Sequence, residues 1–595
     1  MWRSWLTKDV SSFFIRRFSS FTYLNVTQFL GALNDNIFKL LVVYFCIQML
    51  GIEQSHKILA LSGAIFVIPF LLFSAFSGSL ADKFSKRNII VFTKIFEVFV
   101  MMCALVSFYF ESTWGAYSVL FFLATQSAIF GPSKYGILPE LVSTDKISQA
   151  NGMMTSFTFL AIIIGTFFAS FLLDITQKSF IFAASFCSFL SLIGLATSFC
   201  IEYTPPSGST KKVSTDLLTD TWKALQIARR QPSLLTAIVS AAFFLFLGAF
   251  SQLNIIPFSV QSLGLTDTQG GYLFLLIALG IGIGSLLAGK VSGKTVELAL
   301  IPLAGIGITL TLYMVDFLSD SLLSIVPLVL IVGLFGGIYM VPLDSYIQIA
   351  SPNEHRGKIV GATNFLSYFG VLLASVLLYL LTEVFGFGAD KGFTVMGCIM
   401  LALTVIVTFQ YFDYCSRFIG MILSKLHFKT NYSGIESLPE TPAIYVCTHT
   451  DWNDMLLLLG AQRRRMRFYV ESEKDHSKWL KKLYHLFKVV NIAAIKPLEN
   501  NQKCPSEIRQ LLDNGISVCI FVENPNIFLE AEKIHRSYGF KTILKGSSYP
   551  MIPVLIEKGN KEKEHKLFKK ILDKCRVPAA LKFGKIVCDL PEQSV

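Results

Sequence analysis

Charged residues are scarce in this sequence. Asp, Glu, Lys and Arg make up 15% of the 595 residues, whereas soluble domains usually carry about 25%. Hydrophobic residues make up 53%, Phe alone occurs 54 times, and the mean hydropathy is +0.57. This balance excludes a chain built only of soluble domains and favours an integral membrane protein.

Paired cysteines are also missing. The 11 Cys residues are scattered, with no Cys-x-x-Cys motif and no Cys/His cluster at the spacing of a zinc site. Several of them, such as Cys46, Cys103 and Cys187, lie inside apolar segments. We therefore expect no disulfide framework, no metal and no bound cofactor, and we interpret these thiols as small core residues.

The charges that are present are unevenly distributed. Residues 425–595 contain 28 Lys and Arg against 19 Asp and Glu, so a net charge of +9 out of +12 lies in this tail, together with six of the eight His residues. The sequence therefore predicts a bilayer part up to residue 412, followed by a basic domain in solution or at the membrane surface.

Twelve apolar runs are long enough to cross a bilayer, which takes about 20 residues. They lie near 24–50, 58–80, 88–110, 114–132, 151–173 and 179–201, and near 234–260, 271–289, 297–316, 322–346, 358–383 and 392–412. The pattern predicts an all-α membrane domain of about 12 transmembrane helices. Its halves are 21–202 and 234–412, joined by a linker at 203–233 and preceded by a basic interfacial N-terminus at 1–20, which lacks a signal-peptide cleavage site.

Basic residues alternate between the loops. Lys83, Arg87 and Lys211 belong to one set of connections, while Asp174 and Asp316 belong to the other, which is poor in Lys and Arg. Loops rich in Lys and Arg face the cytoplasm. The alternation predicts that both termini and the linker are cytoplasmic.

The two halves carry related motifs. GSLADKFSKR (78–87) follows the second apolar run, and GKVSGK (289–294) follows the eighth, 211 residues later. Pro132 and Pro342 are likewise 210 residues apart. Two parallel six-helix repeats with this loop motif resemble the major facilitator transporters.

That resemblance implies a gating role for the loop motif. In the family the glycine allows close helix approach, while the acidic and basic residues form ion pairs that depend on the transport state. The matching positions here are Gly78, Asp82, Lys83 and Arg87. We expect this motif to regulate the opening of the transport pathway.

Charged residues inside the apolar runs are candidates for function, since burying charge in a bilayer is costly. The first run carries Asp35 and Lys39 one helical turn apart, and the third carries Lys94 and Glu97. Asp35 is expected to act in gating or head-group binding. Lys94 and Glu97 could take part in transport, or could form an internally neutralised pair that only locks helices together.

Three further stretches resemble the bacterial lysophospholipid transporters, a major facilitator subfamily. They are FGPSKYGILPELV (130–142), QFLGALNDN (28–36) and GGIYMVPLDSYIQ (336–348). The resemblance implies movement of lysophosphatidylethanolamine or lysophosphatidylglycerol from the outer to the inner leaflet of the inner membrane. Asp35 and Lys134 match charged positions of these motifs. Lys134 would bind the lipid phosphate, or it could be a cytoplasmic anchor beside Pro132.

The tail alternates strand and helix patterns. A β-type run at 444–446 ends before His449, Asp454 then opens an apolar helix, and buried strands are predicted at 517–523 and 549–557. The alternation predicts an α/β domain at 429–595. His449 is either a general base held by Asp454 or half of a polar pair that closes a turn. The sequence has no Gly-x-Ser-x-Gly motif, so a serine nucleophile is not indicated.

The order of motifs in the tail resembles the glycerolipid acyltransferases. His449 and Asp454 match the family's His-x4-Asp block, Lys496 lies in a block near a basic residue, and Glu523 matches a Phe-Pro-Glu-Gly block. The run at 479–499 most resembles the acylglycerophosphoethanolamine acyltransferases. The resemblance implies that His449 and Asp454 are catalytic, whereas Lys496 and Glu523 bind substrate. A neutral imidazole would take the proton from a lysolipid hydroxyl as it attacks an acyl thioester.

One block departs from that family. Where the family has Glu-Gly-Thr-Arg, this chain has ENPN (523–526), so the arginine that would hold the substrate phosphate is missing. Either Lys496 or another basic residue replaces it, or the tail binds lysolipid without efficient turnover.

Together these patterns predict a lysophospholipid transporter fused to an acyltransferase in the bacterial inner membrane. The acyl donor would be acyl carrier protein or a coenzyme A thioester, supplied by a separate synthetase, because no adenylate-forming domain follows in this sequence. An amphipathic helix at 413–428 would hold the tail at the inner leaflet, and no nucleic acid is expected as a partner. The alternatives are a tail that only captures lysolipid, and a transporter fused to a lysophosphatidate acyltransferase.

Overall fold

The computed structural model describes residues 19–208, 216–231, 233–439, 441–447, 452–461, 465–470, 490–491, 503–521, 549–558 and 577–583. The chain divides into two compact units, Met1–Gln410 and Tyr411–Val595. The first unit is helical and the second contains a β-sheet. The division lies within two residues of the predicted end of the bilayer part.

Twelve long helices are found among the described residues of the first unit. The first half contains α1 (Ser20–Leu50), α2 (Ser55–Lys83), α3 (Lys86–Tyr109), α4 (Thr113–Gly136), the short α5 (Leu138–Leu141), α6 (Ile147–Ile175) and α7 (Phe180–Phe199). Helix α8 (Leu217–Arg229) lies between the halves. The second half contains α9 (Leu234–Gln261), α10 (Asp267–Ser292), α11 (Leu300–Phe317), α12 (Leu322–Ala350), α13 (Arg356–Tyr379) and α14 (Ala389–Gln410).

Each predicted span corresponds to one of these helices. Within the described part of the chain, 11 helices are long and apolar enough to cross a membrane. Helix α4 is less apolar because it carries Gln126, Ser127 and Lys134, yet its 24 residues are long enough to span. The prediction of an all-α membrane domain with two six-helix halves is confirmed.

The linker contains a helix that the sequence analysis did not predict. Asp216 caps the start of α8, because its carboxylate accepts hydrogen bonds from the backbone N–H of Thr219 at 3.4 Å and from the Thr219 hydroxyl at 2.6 Å. Helix α8 contacts α2 in the first half and α13 in the second. The connection between the halves is therefore partly ordered and packed.

The internal repeat predicted from the sequence is present in the fold. Gly78 and Gly289 lie in α2 and α10, the second long helix of each half, and Pro132 and Pro342 lie inside α4 and α12, the fourth. A shift of about 210 residues therefore relates equivalent positions of the two halves, which is the arrangement of parallel repeats.

Small residues let the two halves approach closely. A Cβ atom placed on Gly78 of α2 would be 2.5 Å from the carbonyl oxygen of Gly357 in α13. One placed on Gly152 of α6 would be 2.5 Å from the carbonyl oxygen of Ser285 in α10. Backbones that approach this closely require glycine at the contact.

Gly78→Val is expected to destabilise the helical unit. The added side chain would overlap backbone atoms of α13, which cannot move as a flexible side chain can, and overpacking of this kind costs about 1–3 kcal/mol. Gly63→Val, in the same helix, is the matched control, because nothing lies within 4 Å of a Cβ at that position. Thermal unfolding of the two variants in detergent provides the measurement, and equal melting temperatures would contradict the close contact.

The second unit is a helix-flanked mixed sheet. Its described helices are α15 (Phe412–His427), α16 (Trp452–Ala461) and α17 (Lys503–Asp513). Its described strands are β1 (Phe428–Ser433), β2 (Ile444–Cys447), β3 (Met466–Val470), β4 (Val490–Asn491), β5 (Ser517–Phe521), β6 (Met551–Lys558) and β7 (Val577–Phe583). The strand order is β1-β7-β6-β2-β5-β3-β4, with every described pair parallel except β6 and β7.

The central strands are buried on both faces. Every residue of β2 and β5 is buried, as expected for parallel strands whose sequences are continuous apolar runs. The leucines of α16 complete the same core. The strands predicted at 444–446, 517–523 and 549–557 correspond to β2, β5 and β6, so the α/β prediction for the tail is confirmed.

Helix α15 belongs to the second unit. Its Asp413 carboxylate lies 2.7 Å from the Arg467 guanidinium of β3, and α15 also contacts α16. A helix is thus present where the sequence predicts one at 413–428, and its Arg417 and Phe418 are buried. The exposed apolar residues are Ile419, Ile422, Leu423 and Leu426.

Candidate functional sites

A cavity of about 420 Å³ lies in the helical unit, lined by residues of both halves. Its lining residues include the charged side chains Asp35, Lys94, Lys134 and Asp344. They also include aromatic side chains, among them Phe66, Phe70, Phe159, Phe244 and Tyr368. The volume lies within the range of about 300–1,000 Å³ that is usual for small-molecule sites. A cavity lined by both charged and aromatic side chains suits an amphiphile.

Lys134 and Asp344 occupy equivalent positions of the repeat. They are 210 residues apart, as are Pro132 and Pro342, so one half contributes a cation and the other a carboxylate to the same cavity. The two side chains interact electrostatically but do not form an ion pair within 4 Å. The Lys134 Nζ atom lies 4.5 Å from the centroid of the Tyr135 ring. Neither charge is therefore neutralised by a direct ion pair with the other.

Sequence reasoning missed Asp344 as a site residue. The stretch 336–348 was singled out for its resemblance, and Pro342 for the repeat, without the carboxylate two residues later. The 210-residue offset was the signal that could have identified it, since it relates Lys134 to Asp344 directly.

Asp35 of α1 lines the cavity. The Ser127 hydroxyl of α4 donates a hydrogen bond to Asp35 Oδ2 at 2.6 Å, while Oδ1 has no hydrogen-bond partner among the described residues. Lys39 does not pair with Asp35. Its Nζ lies 5.0 Å from the centroid of the Phe66 ring, and Lys39 is not among the residues that line the cavity.

Lys94 and Glu97 form a buried ion pair. Lys94 Nζ lies 2.6 Å from Glu97 Oε2, and each side chain is 1% exposed. Asn34 of α1 donates to Glu97 Oε1 at 3.0 Å, and Gln126 of α4 donates to Oε2 at 3.3 Å. The carboxylate is thus held by three helices, which is the arrangement expected of a neutralised pair that locks helices together. Lys94 borders the cavity, whereas Glu97 is not among its lining residues.

The loop motif joins the two halves through backbone groups. Asp82 Oδ1 accepts a hydrogen bond from the Gly357 N–H at 2.6 Å, and Oδ2 accepts one from the Lys358 N–H at 3.0 Å. The carboxylate therefore caps the start of α13, where unpaired N–H groups favour an anion. Arg87 donates to the carbonyl oxygens of Phe199 and Ile201 after α7.

The ion pairs of this motif are only partly formed in this conformation: Lys86 Nζ lies 2.5 Å from Glu140 Oε1. In the part of the chain that the structure describes, Asp82, Lys83 and Arg87 have no ion-pair partner within 4 Å. Lys83 Nζ lies 5.8 Å from the centroid of the Phe84 ring instead. The reason is geometric, because the start of α13 already supplies Asp82 with two donors.

The second candidate site lies at the carboxyl ends of β2 and β5, two central strands of the sheet in the tail. Asp454 is fully buried in the first turn of α16. It lies near Cys519 of β5: burial raises the pKa of that thiol well above its usual value, and the electrostatic influence of Cys447 and Asp454 raises it further. Strands β2 and β5 end side by side, since Cys447 is paired with Phe521. His449, Lys496 and Glu523 lie outside the described residues.

These features define a membrane carrier with a central cavity between two repeated halves, continued by an α/β domain. The family model of the Major Facilitator Superfamily matches residues 24–375, and the acyltransferase family model matches residues 429–557. The chain belongs to the Major Facilitator Superfamily, and it carries an acyltransferase-family domain after the transporter fold. It is a multi-pass membrane protein.

Proteins of similar sequence are named as transporters. The chain is 26% identical over 376 residues to the lysophospholipid transporter LplT of Enterobacter sp. (strain 638), covering 62% of this chain and 89% of that protein. It is 27% identical over 344 residues to LplT of Klebsiella pneumoniae (strain 342), covering 57% and 81%. These matches cover part of this chain and most of each relative.

Solved structures show the same transporter fold. The human organic anion transporter MFSD10 (TETRAN) superposes with a TM-score of 0.54 at 16% identity, covering 65% of this chain and 98% of that one. A bacterial homologue of the iron transporter ferroportin, in an outward-facing state, gives 0.53 at 13% identity, covering 67% and 100%. At these identities the likeness concerns the fold alone.

Proposed function

We propose that the helical unit carries lysophospholipid across the bacterial inner membrane and that the tail reacylates it at the cytoplasmic leaflet. The observation that carries the transport half is the cavity, which is lined by Lys134 and Asp344 together with several aromatic residues. Its relatives are named lysophospholipid transporters. The acyltransferase-family domain in the same chain supports the second half.

The two charges suit the ends of a zwitterionic head group. In lysophosphatidylethanolamine the phosphate would bind Lys134, and the ammonium would bind Asp344 or Asp35. Hydrogen bonds to charged groups are stronger than neutral ones, so the pair would orient the head group as well as bind it. Lysophosphatidylglycerol has the phosphate without the amine, so it would use only the Lys134 contact. We therefore propose lysophosphatidylethanolamine as the preferred substrate.

The aromatic lining residues suit a single acyl chain. Phe70 and Tyr368, from opposite halves, stack with their ring centroids 4.1 Å apart. Large apolar rings bind a hydrocarbon chain through the area that they remove from water. Since the cavity is about 420 Å³, we propose that it holds a head group with part of one chain and excludes lipids with two chains.

The tail would transfer an acyl group from a thioester to the lysolipid hydroxyl. His449 would take the hydroxyl proton as the oxygen attacks the thioester carbonyl carbon, the C–S bond would break, and the leaving thiolate would accept that proton. Asp454 would orient the imidazole. His449 follows Cys447, and Glu523 follows Phe521, with one intervening residue in each case, and Cys447 and Phe521 are paired at the adjoining ends of β2 and β5.

The donor would be acyl carrier protein or a coenzyme A thioester, loaded by a separate acyl carrier protein synthetase. The tail's excess of positive charge complements an acidic carrier protein. The ENPN sequence at 523–526 favours one other candidate function, a tail that binds lysolipid without turning it over. In the active enzyme Lys496 would replace the missing arginine at the phosphate.

An acyl-transfer assay on membranes containing the full chain tests the proposal. Labelled lysophosphatidylethanolamine is supplied with acyl carrier protein thioester in one arm and coenzyme A thioester in the other. Formation of the two-chain lipid in either arm supports reacylation. Uptake without product in both arms leaves a transporter whose tail only binds.

Asp35→Asn is expected to slow lysolipid uptake into spheroplasts without loss of protein. The substitution removes the charge of a carboxylate that faces the cavity and keeps its size, so the effect reports on charge. Asp316→Asn is the matched control, because that carboxylate pairs with exposed Lys391 and does not line the cavity. Uptake at the wild-type rate would remove Asp35 from the mechanism.

Both termini are expected on the cytoplasmic side. The alternation of basic loops predicts this orientation, and it would place the tail where acyl thioesters occur. A fluorescent protein that folds only in the cytoplasm, fused after Val595, should be bright, whereas a phosphatase active only in the periplasm should be inactive there. The reverse result would separate the tail from its proposed donors.

A further inference from the structure

Helix α8 presents an unusual outer face. Leu218 and Trp222, one helical turn apart, are 69% and 63% exposed, whereas Asp220, Thr221, Ala224 and Ala228 on the other side are buried against the bundle. An apolar pair that includes Trp is rarely left facing water, and Trp is enriched where membranes meet water. We therefore expect this face of α8 to contact an apolar or interfacial surface that is not bulk water.

The same helix carries unpaired positive charge. Lys223, Arg229 and Arg230 are exposed, and none has an ion-pair partner within 4 Å among the described residues. A helix with an apolar edge and several basic residues is typical of segments that lie in the head-group layer of a membrane. Basic residues beside a cytoplasmic leaflet attract its anionic lipids.

The position of α8 puts it close to such a surface. It is connected to α7, which ends at Phe199, and to α9, which begins at Leu234, so the ends of two membrane-spanning helices tether it to one face of the bundle. Helix α2, which α8 contacts, ends at the same face with Phe84 48% exposed beside Lys83. Aromatic and basic side chains therefore recur along this face.

We propose that α8 is a lipid-binding brace: Trp222 and Leu218 insert into the inner-leaflet head groups, and Lys223, Arg229 and Arg230 bind anionic phospholipid. Because α8 packs on α2 from one half and α13 from the other, any motion that separates these helices must shift α8 within the lipid. Anionic lipid would therefore influence the opening of this side of the transporter. The proposal concerns the lipid environment and does not depend on which substrate is carried.

Fluorine NMR of the full chain tests the position of Trp222. The protein is labelled with 5-fluorotryptophan in nanodiscs of phosphatidylcholine alone, or of equal parts phosphatidylcholine and phosphatidylglycerol. Trp222→Phe identifies the resonance among the six Trp residues. We expect a lipid with a spin-labelled head group to broaden this resonance, more so with phosphatidylglycerol, and a soluble gadolinium chelate to leave it unchanged. Broadening by the chelate alone, or by neither agent, overturns the proposal, since the face would then be in water or covered by protein.

Charge neutralisation tests the lipid selectivity. The triple variant Lys223→Gln, Arg229→Gln, Arg230→Gln should lose the extra broadening caused by phosphatidylglycerol. Lys178→Gln, in the loop between α6 and α7, is the control and should retain it. Equal lipid dependence of the triple variant and the control would show that α8 does not select anionic lipid.

Discussion

His449→Ala is expected to lower acyl transfer by about 10²–10⁴-fold, the usual contribution of a general base, while lysolipid uptake stays near the wild-type rate. The separation follows from the division of the chain into two compact units, with the transport cavity in one and Asp454 in the other. Transfer is measured as conversion of labelled lysolipid by the full chain in nanodiscs, and uptake is measured in spheroplasts.

Two further variants test the proposed roles of Asp454 and Glu523 separately. Asp454→Asn should lose much of the activity, because a neutral amide cannot stabilise the imidazolium that forms during the reaction. Glu523→Gln should have a milder effect if that residue mainly positions the substrate. His427→Ala, at an exposed histidine of α15, is the matched control and should transfer at the wild-type rate.

The absent arginine makes the outcome informative in either direction. If the full-length wild type transfers no acyl group from either donor but binds lysolipid, the enzyme proposal fails and His449 closes a turn. If the wild type is active and His449→Ala is equally active, the tail works through another base. Lys496→Gln then tests the phosphate contact, since it should raise the Michaelis constant for lysolipid more than it lowers the turnover rate.

Lys134→Gln is expected to weaken the binding of every lysophospholipid by about 10–100-fold, because a hydrogen bond to a charged group is worth about 1.5–3 kcal/mol and about 1.4 kcal/mol is tenfold in affinity. Asp344→Asn should act more selectively. It should reduce uptake of lysophosphatidylethanolamine strongly and uptake of lysophosphatidylglycerol little, since only the former has an ammonium group.

The surface pair of the second half provides matched controls. Lys391→Gln and Asp316→Asn remove the same charges at a pair whose lysine is 58% exposed, and exposed pairs of this kind contribute about 0–1 kcal/mol. Both controls should take up either lysolipid normally. Equal losses for the two head groups in Asp344→Asn would refute the assignment of the ammonium to Asp344 and leave that residue a role in holding Lys134.

Local pattern predicted most of the architecture. The lengths of the apolar runs indicated the spans, because a bilayer crossing has a minimum length that the sequence displays directly. Three of the tail strands, β2, β5 and β6, were also predicted, since β2 and β5 are mostly apolar for the same reason that they are buried. Strands β1, β3, β4 and β7 were not predicted. The repeat in glycine and proline positions indicated the two halves.

The sequence by itself thus determined the spans, the halves and three strands of the tail, because each depends on short-range periodicity or on a local motif. The tertiary structure alone decided which charges meet. Asp82 bonds to Gly357, 275 residues away, and Glu97 is held by Asn34 and Gln126, so its pairing with Lys94 serves the contact between helices. Asp344 is identified as a site residue only by the tertiary structure, in which residues of both halves line one cavity. A charge has no assigned partner until packing brings distant helices within a few ångströms, because the energy of an ion pair depends on separation in space and on burial.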